Sequence, residues 1–215
     1  MPMLANPVIT EPGTLVRSVA RLLPVNMLLL AGLLCSVTGL AQQNGRFATL
    51  RMQAMEAFDR GQFDQVAGRL EEIWEQDRTD PRVAEYLAMG YLYGEHNVDK
   101  ARPVMKEAIA RGGQATFLIQ HSHGKMAFLQ GDPMNNYCSG KMSISPGTIA
   151  FISEQTDHSA KIEAAELKEF KVLGGVPGRI EIKAGNQKWT FRVRSGTMSE
   201  ANLLEEIAEQ NLRKK

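Results

Sequence analysis

The stretch YCSGKMSISPGTIAFI, residues 137–152, decides the fold. Met142-Ser143-Ile144-Ser145 alternates apolar with polar, Pro146-Gly147 is turn chemistry, and Ile149-Ala150-Phe151-Ile152 runs on as a second arm. A side-chain period of two places the apolar members on one face of a strand, so this segment predicts an antiparallel hairpin. Upstream, Phe117-Leu118-Ile119 opens a strand ending near His123-Gly124. Downstream, Ile162, Leu167, Phe170 and Val172 predict two more short strands. Ile180 to Lys183, the turn Gly185-Asn186, and Trp189 to Arg194 form another alternating hairpin, with Glu181, Lys183, Arg192 and Arg194 expected to face water. Ser199 to Leu212 reads as a helix with Leu203, Leu204, Ile207, Ala208 and Leu212 on one side. Ser199 is placed as its N-cap, and Glu200 lies near the positive end of the helix dipole.

Before Gly112-Gly113 the period is helical. Phe47, Leu50, Met52, Ala54, Met55 and Phe58 recur at three- and four-residue steps as one apolar helical face, and Gly61 breaks the pattern. Phe63, Val66, Leu70, Ile73 and Trp74 form a second stretch, ended by Asp80-Pro81 because proline disfavours a helical residue before it. Val83, Leu87, Met89, Tyr91 and Leu92 form a third; Val98, Ala101, Met105, Ala108 and Ile109 form a fourth. The stretches repeat: Gly61 to Val66 lines up with His96 to Ala101, 35 positions on, and the same shift carries Leu70 onto Met105 and Trp74 onto Ile109.

On those residues, 42–113 resembles a tetratricopeptide-repeat array, whose 34-residue unit is a helical hairpin. The resemblance implies a protein-interaction scaffold, although His96 stands where the second unit's glycine belongs. Two hairpins cannot cover their own apolar faces, since about three repeats are usually needed. The C-terminal half or a partner chain must supply the cover. Trp74, Tyr86, Tyr91 and Tyr93 are the candidate protein-binding residues, with inter-helix packing as the alternative. Over 114–215, the order of short strands and one closing helix, with the Cys138-x-Gly140-x-Met142 to Phe151 hairpin, resembles a pleckstrin-homology-like or GRAM-like barrel. That family often binds phosphoinositides, but the corresponding loop offers Lys125 and then Asp132, so lipid binding is not carried over. The fold class expected is α+β: helical-hairpin repeats followed by an antiparallel, barrel-like domain closed by one helix.

The first 41 residues read as an address. Arg17 and Arg21 precede Leu22 to Ala41, which carries no charge, and Met27 to Val37 is nearly all apolar. A basic flank, an apolar core and small residues at Gly39 and Ala41 match a secretory signal peptide, or an uncleaved anchor. The expectation is an exported protein, periplasmic or extracellular, touching a membrane only if this segment is retained. Cleavage after Ala41 leaves 23 basic and 23 acidic residues and Cys138 as the single cysteine.

Whole-chain composition excludes other classes. With 25 Lys+Arg against 24 Asp+Glu the net charge is +1, which gives no electrostatic case for nucleic acid. Catalytic signatures are missing: no Gly-x-Ser-x-Gly elbow, no phosphate loop, no dinucleotide fingerprint. Gly174 to Gly178 joins two strands rather than opening a helix. The paired acids Glu71-Glu72 and Glu205-Glu206 read as solvated faces. One constellation carries chemistry. His121 and His123 leave the same face of a strand, and Cys138 or His158 can add ligands for tetrahedral zinc. Cys138 as a small buried hydrophobe is the other reading. The sequence therefore predicts a non-enzymatic scaffold of the cell envelope that needs no cofactor and binds another protein. A metal-binding protein using His121, His123 and Cys138 is the alternative.

Overall fold

The computed structural model describes residues 45–123, 137–154, 158–174 and 178–212. The expected signal segment, Lys125, Asp132 and Lys214-Lys215 lie outside them. Among the described residues no helix is long and apolar enough to cross a membrane. The described residues from Thr49 onward belong to one compact unit; 45–48, which are helical, fall outside it.

The helical half follows its period except in the first stretch, where Met52 and Met55 of the expected apolar face are exposed. α1 (45–59) buries Ala54, Ala57 and Phe58, and α2 (Asp64–Gln76) buries Val66, Ala67, Leu70, Ile73 and Trp74. α3 (Pro81–Met89) starts with Pro81 in its first turn, where the missing N–H costs nothing, and Asp80 accepts from the Arg82 amide at 2.9 Å. α4 (Val98–Ala110) is capped by Asn97, which accepts from the Lys100 amide at 3.0 Å. Between α3 and α4 the chain continues as a π-helical turn, Gly90–Gly94. Two glycines permit it: a Cβ on Gly90 would lie 2.7 Å from the Ala67 amide nitrogen, and one on Gly94 would enter the Phe63 backbone. Gly61 has φ +71° and His96 has φ +54°, so His96 accepts the left-handed turn that glycine makes in the first hairpin.

The second half is a seven-stranded, wholly antiparallel sheet: β1 (Ala115–Ser122), β2 (Tyr137–Ser145), β3 (Thr148–Ser153), β4 (Ala160–Glu163), β5 (Leu167–Val172), β6 (Arg179–Ala184) and β7 (Gln187–Val193). The spatial order β4-β3-β2-β1-β7-β6-β5 leaves β4 and β5 as unpaired edges, so the sheet does not close. α5 (Met198–Leu212) packs along β5 and reaches β2, β3 and β7. One sheet face is buried throughout, with Phe117, Ile119, Met142, Ile144, Phe151, Ile180, Ile182, Phe191 and Val193, as are Leu203, Leu204 and Ile207 of α5. The architecture is α+β.

Within this unit the hairpins rest on the sheet half. α3 and α4 pack on β1, and α4 packs on α5. The Tyr93 hydroxyl accepts from the Leu118 amide of β1 at 2.7 Å and donates to Glu200 Oε1 of α5 at 2.6 Å. The Thr116 hydroxyl donates to Glu85 Oε1 at 2.6 Å.

Several acids differ from expectation. Glu181 is 6% exposed rather than water-facing, because the Lys188 and Lys183 ammonium groups close over it at 2.7 and 3.6 Å. Glu206 holds Arg102 and Lys106 of α4 at 2.7 and 2.6 Å, and Glu205 accepts the Val172 amide of β5 at 2.9 Å, so this pair joins elements instead of lying on a solvated face. Glu71 accepts the Tyr91 hydroxyl at 2.9 Å. Ser199 is inside α5, and Thr197 stands before it, its Oγ1 accepting from the Glu200 amide at 3.4 Å.

Candidate metal centre

β1 and β2 are paired along their full lengths, and the register puts His121 opposite Cys138. Directly opposed residues project from the same side of a sheet, here the buried side, as cross-strand pairing of His121 with Phe191 of β7 also shows. Gly140, two residues past Cys138, makes room for the Phe151 ring, which a Cβ there would strike. Phe151 then lies against the imidazole of His121, with ring centroids 5.6 Å apart, and Phe191 flanks it at 5.1 Å.

His123 follows the end of β1, and its ring stands 5.2 Å from that of His121. His158, just before β4, packs edge-on against His123 at 4.3 Å and lies 6.1 Å from His121. The Cys138 sulfur is 3.9 Å from His121 Nδ1. One ligand atom each from His121, His123 and Cys138 fall within 4.8 Å of one another. All four chemistry-bearing residues singled out in this half of the chain thus meet at one end of the sheet.

The burial is graded. Cys138 is 2% exposed, His121 is half-buried, and His123 and His158 are exposed. Burial pushes the His121 pKa down to about 4, with the neighbouring His123 and His158 adding to the effect. Burial and then His158 lower His123 as well. At neutral pH both imidazoles therefore carry free lone pairs, the form that ligates a metal. A pocket of about 390 Å³, bounded by His121, Phe151, His158, Lys161, Gln187 and Trp189, opens the cluster to solvent. Two imidazoles and a cysteine sulfur, with the His158 ring beside them, are a donor set for zinc-class ions, in contrast to the oxygen-rich sets of calcium and magnesium.

The four aromatic candidates for partner binding are placed elsewhere. Trp74 and Tyr91 are buried, and Tyr93 is tied to Leu118 and Glu200. Tyr86 is half-buried, its ring 4.9 Å from Phe58. Sequence reasoning placed Glu200 only at the positive end of the helix dipole; it is a carboxylate only 1% exposed that receives the Tyr93 and Ser195 hydroxyls. Its position in the first turn of a helix disguised it as a surface acid.

No family model and no curated protein matches the chain. Among solved structures, the C-terminal domain of an unknown protein from Leishmania infantum is similar at 18% identity, covering 46% of this chain and 82% of that one, with a TM-score of 0.32. The N-terminal PH domain of the human ARAP2 protein is similar at 14% identity, covering 48% and 87%, also with a TM-score of 0.32.

Proposed function

We propose that this chain is an exported, non-catalytic metal-binding protein that holds a zinc-class ion through His121, His123 and Cys138, with His158 as fourth ligand. The observation that carries the reading is the convergence of three ligand atoms within 4.8 Å, one of them the buried thiol Cys138, beside the third imidazole, that of His158. A thiolate with imidazoles favours zinc over harder cations. Zinc added to metal-free protein should bind one equivalent per chain by isothermal titration calorimetry, with proton release as the thiol ionises. Replacement of Cys138 by serine should weaken it at least about tenfold, a loss of roughly 1.4 kcal/mol.

The scaffold reading has a separate observation behind it. α1 leaves Met52 and Met55 57% and 47% exposed, beside a groove lined by Ala54, Leu70, Val83 and Tyr86. Methionine on an exposed helix face adapts to varied apolar partners. A double Met52→Asp, Met55→Asp variant should keep its fold by circular dichroism and lose any protein that the unaltered chain retains from an envelope extract. Retention of the same proteins by both would remove this reading.

A further inference from the structure

The outer face of β6 and β7 carries two arginines that have no counter-charge among the described residues. The two-residue turn at Gly185-Asn186 sets a register in which Arg179 lies directly opposite Arg192. Opposed residues of a strand pair have Cβ atoms about 5 Å apart, and like charges there are destabilising. Three nearby lysines do have a carboxylate: Lys171 and Lys183 hold Glu169 at 2.6 and 2.5 Å, and Lys188 holds Glu181 at 2.7 Å. Among the described residues neither Arg179 nor Arg192 has an acidic partner, and the Arg179 Nε is shut off from solvent with no hydrogen-bond acceptor.

The surroundings restrain the pair. Gly196, at φ +68°, brings the turn after β7 onto Arg192: a Cβ there would stand 2.9 Å from Arg192 Nη2. On the other side, Gln120 of β1 is paired with Arg192, extending the row with a side-chain amide. An oxyanion held by the terminal nitrogens of both guanidiniums removes the repulsion, because two guanidinium forks match the edges of a phosphate.

We infer that Arg179 and Arg192 form an anion site that takes a phosphate group, with Gln120 as a neutral donor beside it. The site is independent of the histidine–cysteine cluster and of any metal there. Inorganic phosphate titrated into the purified full chain at low ionic strength, in a zwitterionic buffer, should raise its melting temperature saturably. Arg179→Gln and Arg192→Gln should each weaken that response about tenfold or more, while melting no lower than the unaltered chain without phosphate. Flotation with phosphatidylcholine vesicles, with and without phosphatidic acid, identifies the source: association only with the acidic vesicles, lost in both variants, marks a lipid headgroup; a response to phosphate alone marks a soluble phosphate. No phosphate response, or one equal in the unaltered chain and both variants, overturns the inference, since the former denies a site and the latter marks screening.

Discussion

Alanine at both His121 and His123 should erase the thermal stabilisation that zinc confers on the unaltered protein. A ligand at one hundred times its dissociation constant stabilises the state it binds by about 2.7 kcal/mol. For a domain of this size that corresponds to a rise of about 5–10 °C in Tm. The variant should show no zinc-dependent rise and nearly the metal-free Tm of the unaltered chain. The second expectation follows from burial. His123 is exposed, and His121 is half-buried with a depressed pKa, so neither contributes a large apolar volume to the core. Scanning calorimetry of both proteins with and without zinc is the measurement. An undiminished zinc effect in the variant would remove these histidines from the site.

Glu200→Ala should be the most destabilising polar substitution, at about 3 kcal/mol. It strands two hydroxyls, those of Tyr93 and Ser195, in a place where Glu200 is only 1% exposed. Each unsatisfied buried group costs about 1–3 kcal/mol. It also breaks the bond between the π-helical turn and α5, two elements more than a hundred residues apart in sequence. Glu200→Gln keeps an acceptor for Tyr93 and should cost far less. The two proteins should also differ in pH dependence. Burial raises the Glu200 pKa above its ordinary 4.5, so the native state takes up a proton at higher pH than the unfolded chain does. This contribution is therefore fully present below pH 4.5 and is lost as pH rises through the native value. Relative to Glu200→Gln, the unaltered chain should gain stability on acidification towards pH 4.5. Urea denaturation across that range measures it, and a difference that does not move with pH would mean Glu200 titrates normally.

Much of the architecture was legible because hydrophobic period is a direct record of burial. The steps Val66, Leu70, Ile73 and Met105, Ala108, Ile109 predicted helices that are present, and the alternation from Met142 to Phe151 predicted β2 and β3. The same logic fails for charged residues. Glu181, Glu200 and Glu206 alternate or cap as surface acids do, and only the tertiary structure shows that lysines, an arginine or hydroxyls close over them. The π-helical turn has no period of its own; its signal was Gly90 and Gly94, whose missing side chains admit Ala67 and Phe63. His121 and His123 were readable as a same-face pair from their spacing. The approach of Cys138 depends on the β1–β2 register, and that of His158 on the course of the chain into β4. The Arg179–Arg192 pairing was countable from the Gly185-Asn186 turn, yet alternation alone marked Arg192 simply as water-facing.

The interior of the unit also answers where the hairpins place their apolar faces. α3 and α4 rest on β1 and α5, so the C-terminal half of the same chain packs against the helical half. Function is therefore sought first at the histidine–cysteine cluster.

Cobalt substitution tests that cluster most directly, because cobalt(II) takes the ligands zinc takes and reports on them in the visible spectrum. Added to metal-free protein at neutral pH, one equivalent should produce intense tetrahedral d–d bands with a sulfur-to-cobalt charge-transfer band. Cys138→Ser should abolish the charge-transfer band, and zinc should displace the colour. A weak, six-coordinate spectrum identical in the unaltered chain and in Cys138→Ser would contradict the assignment of this site.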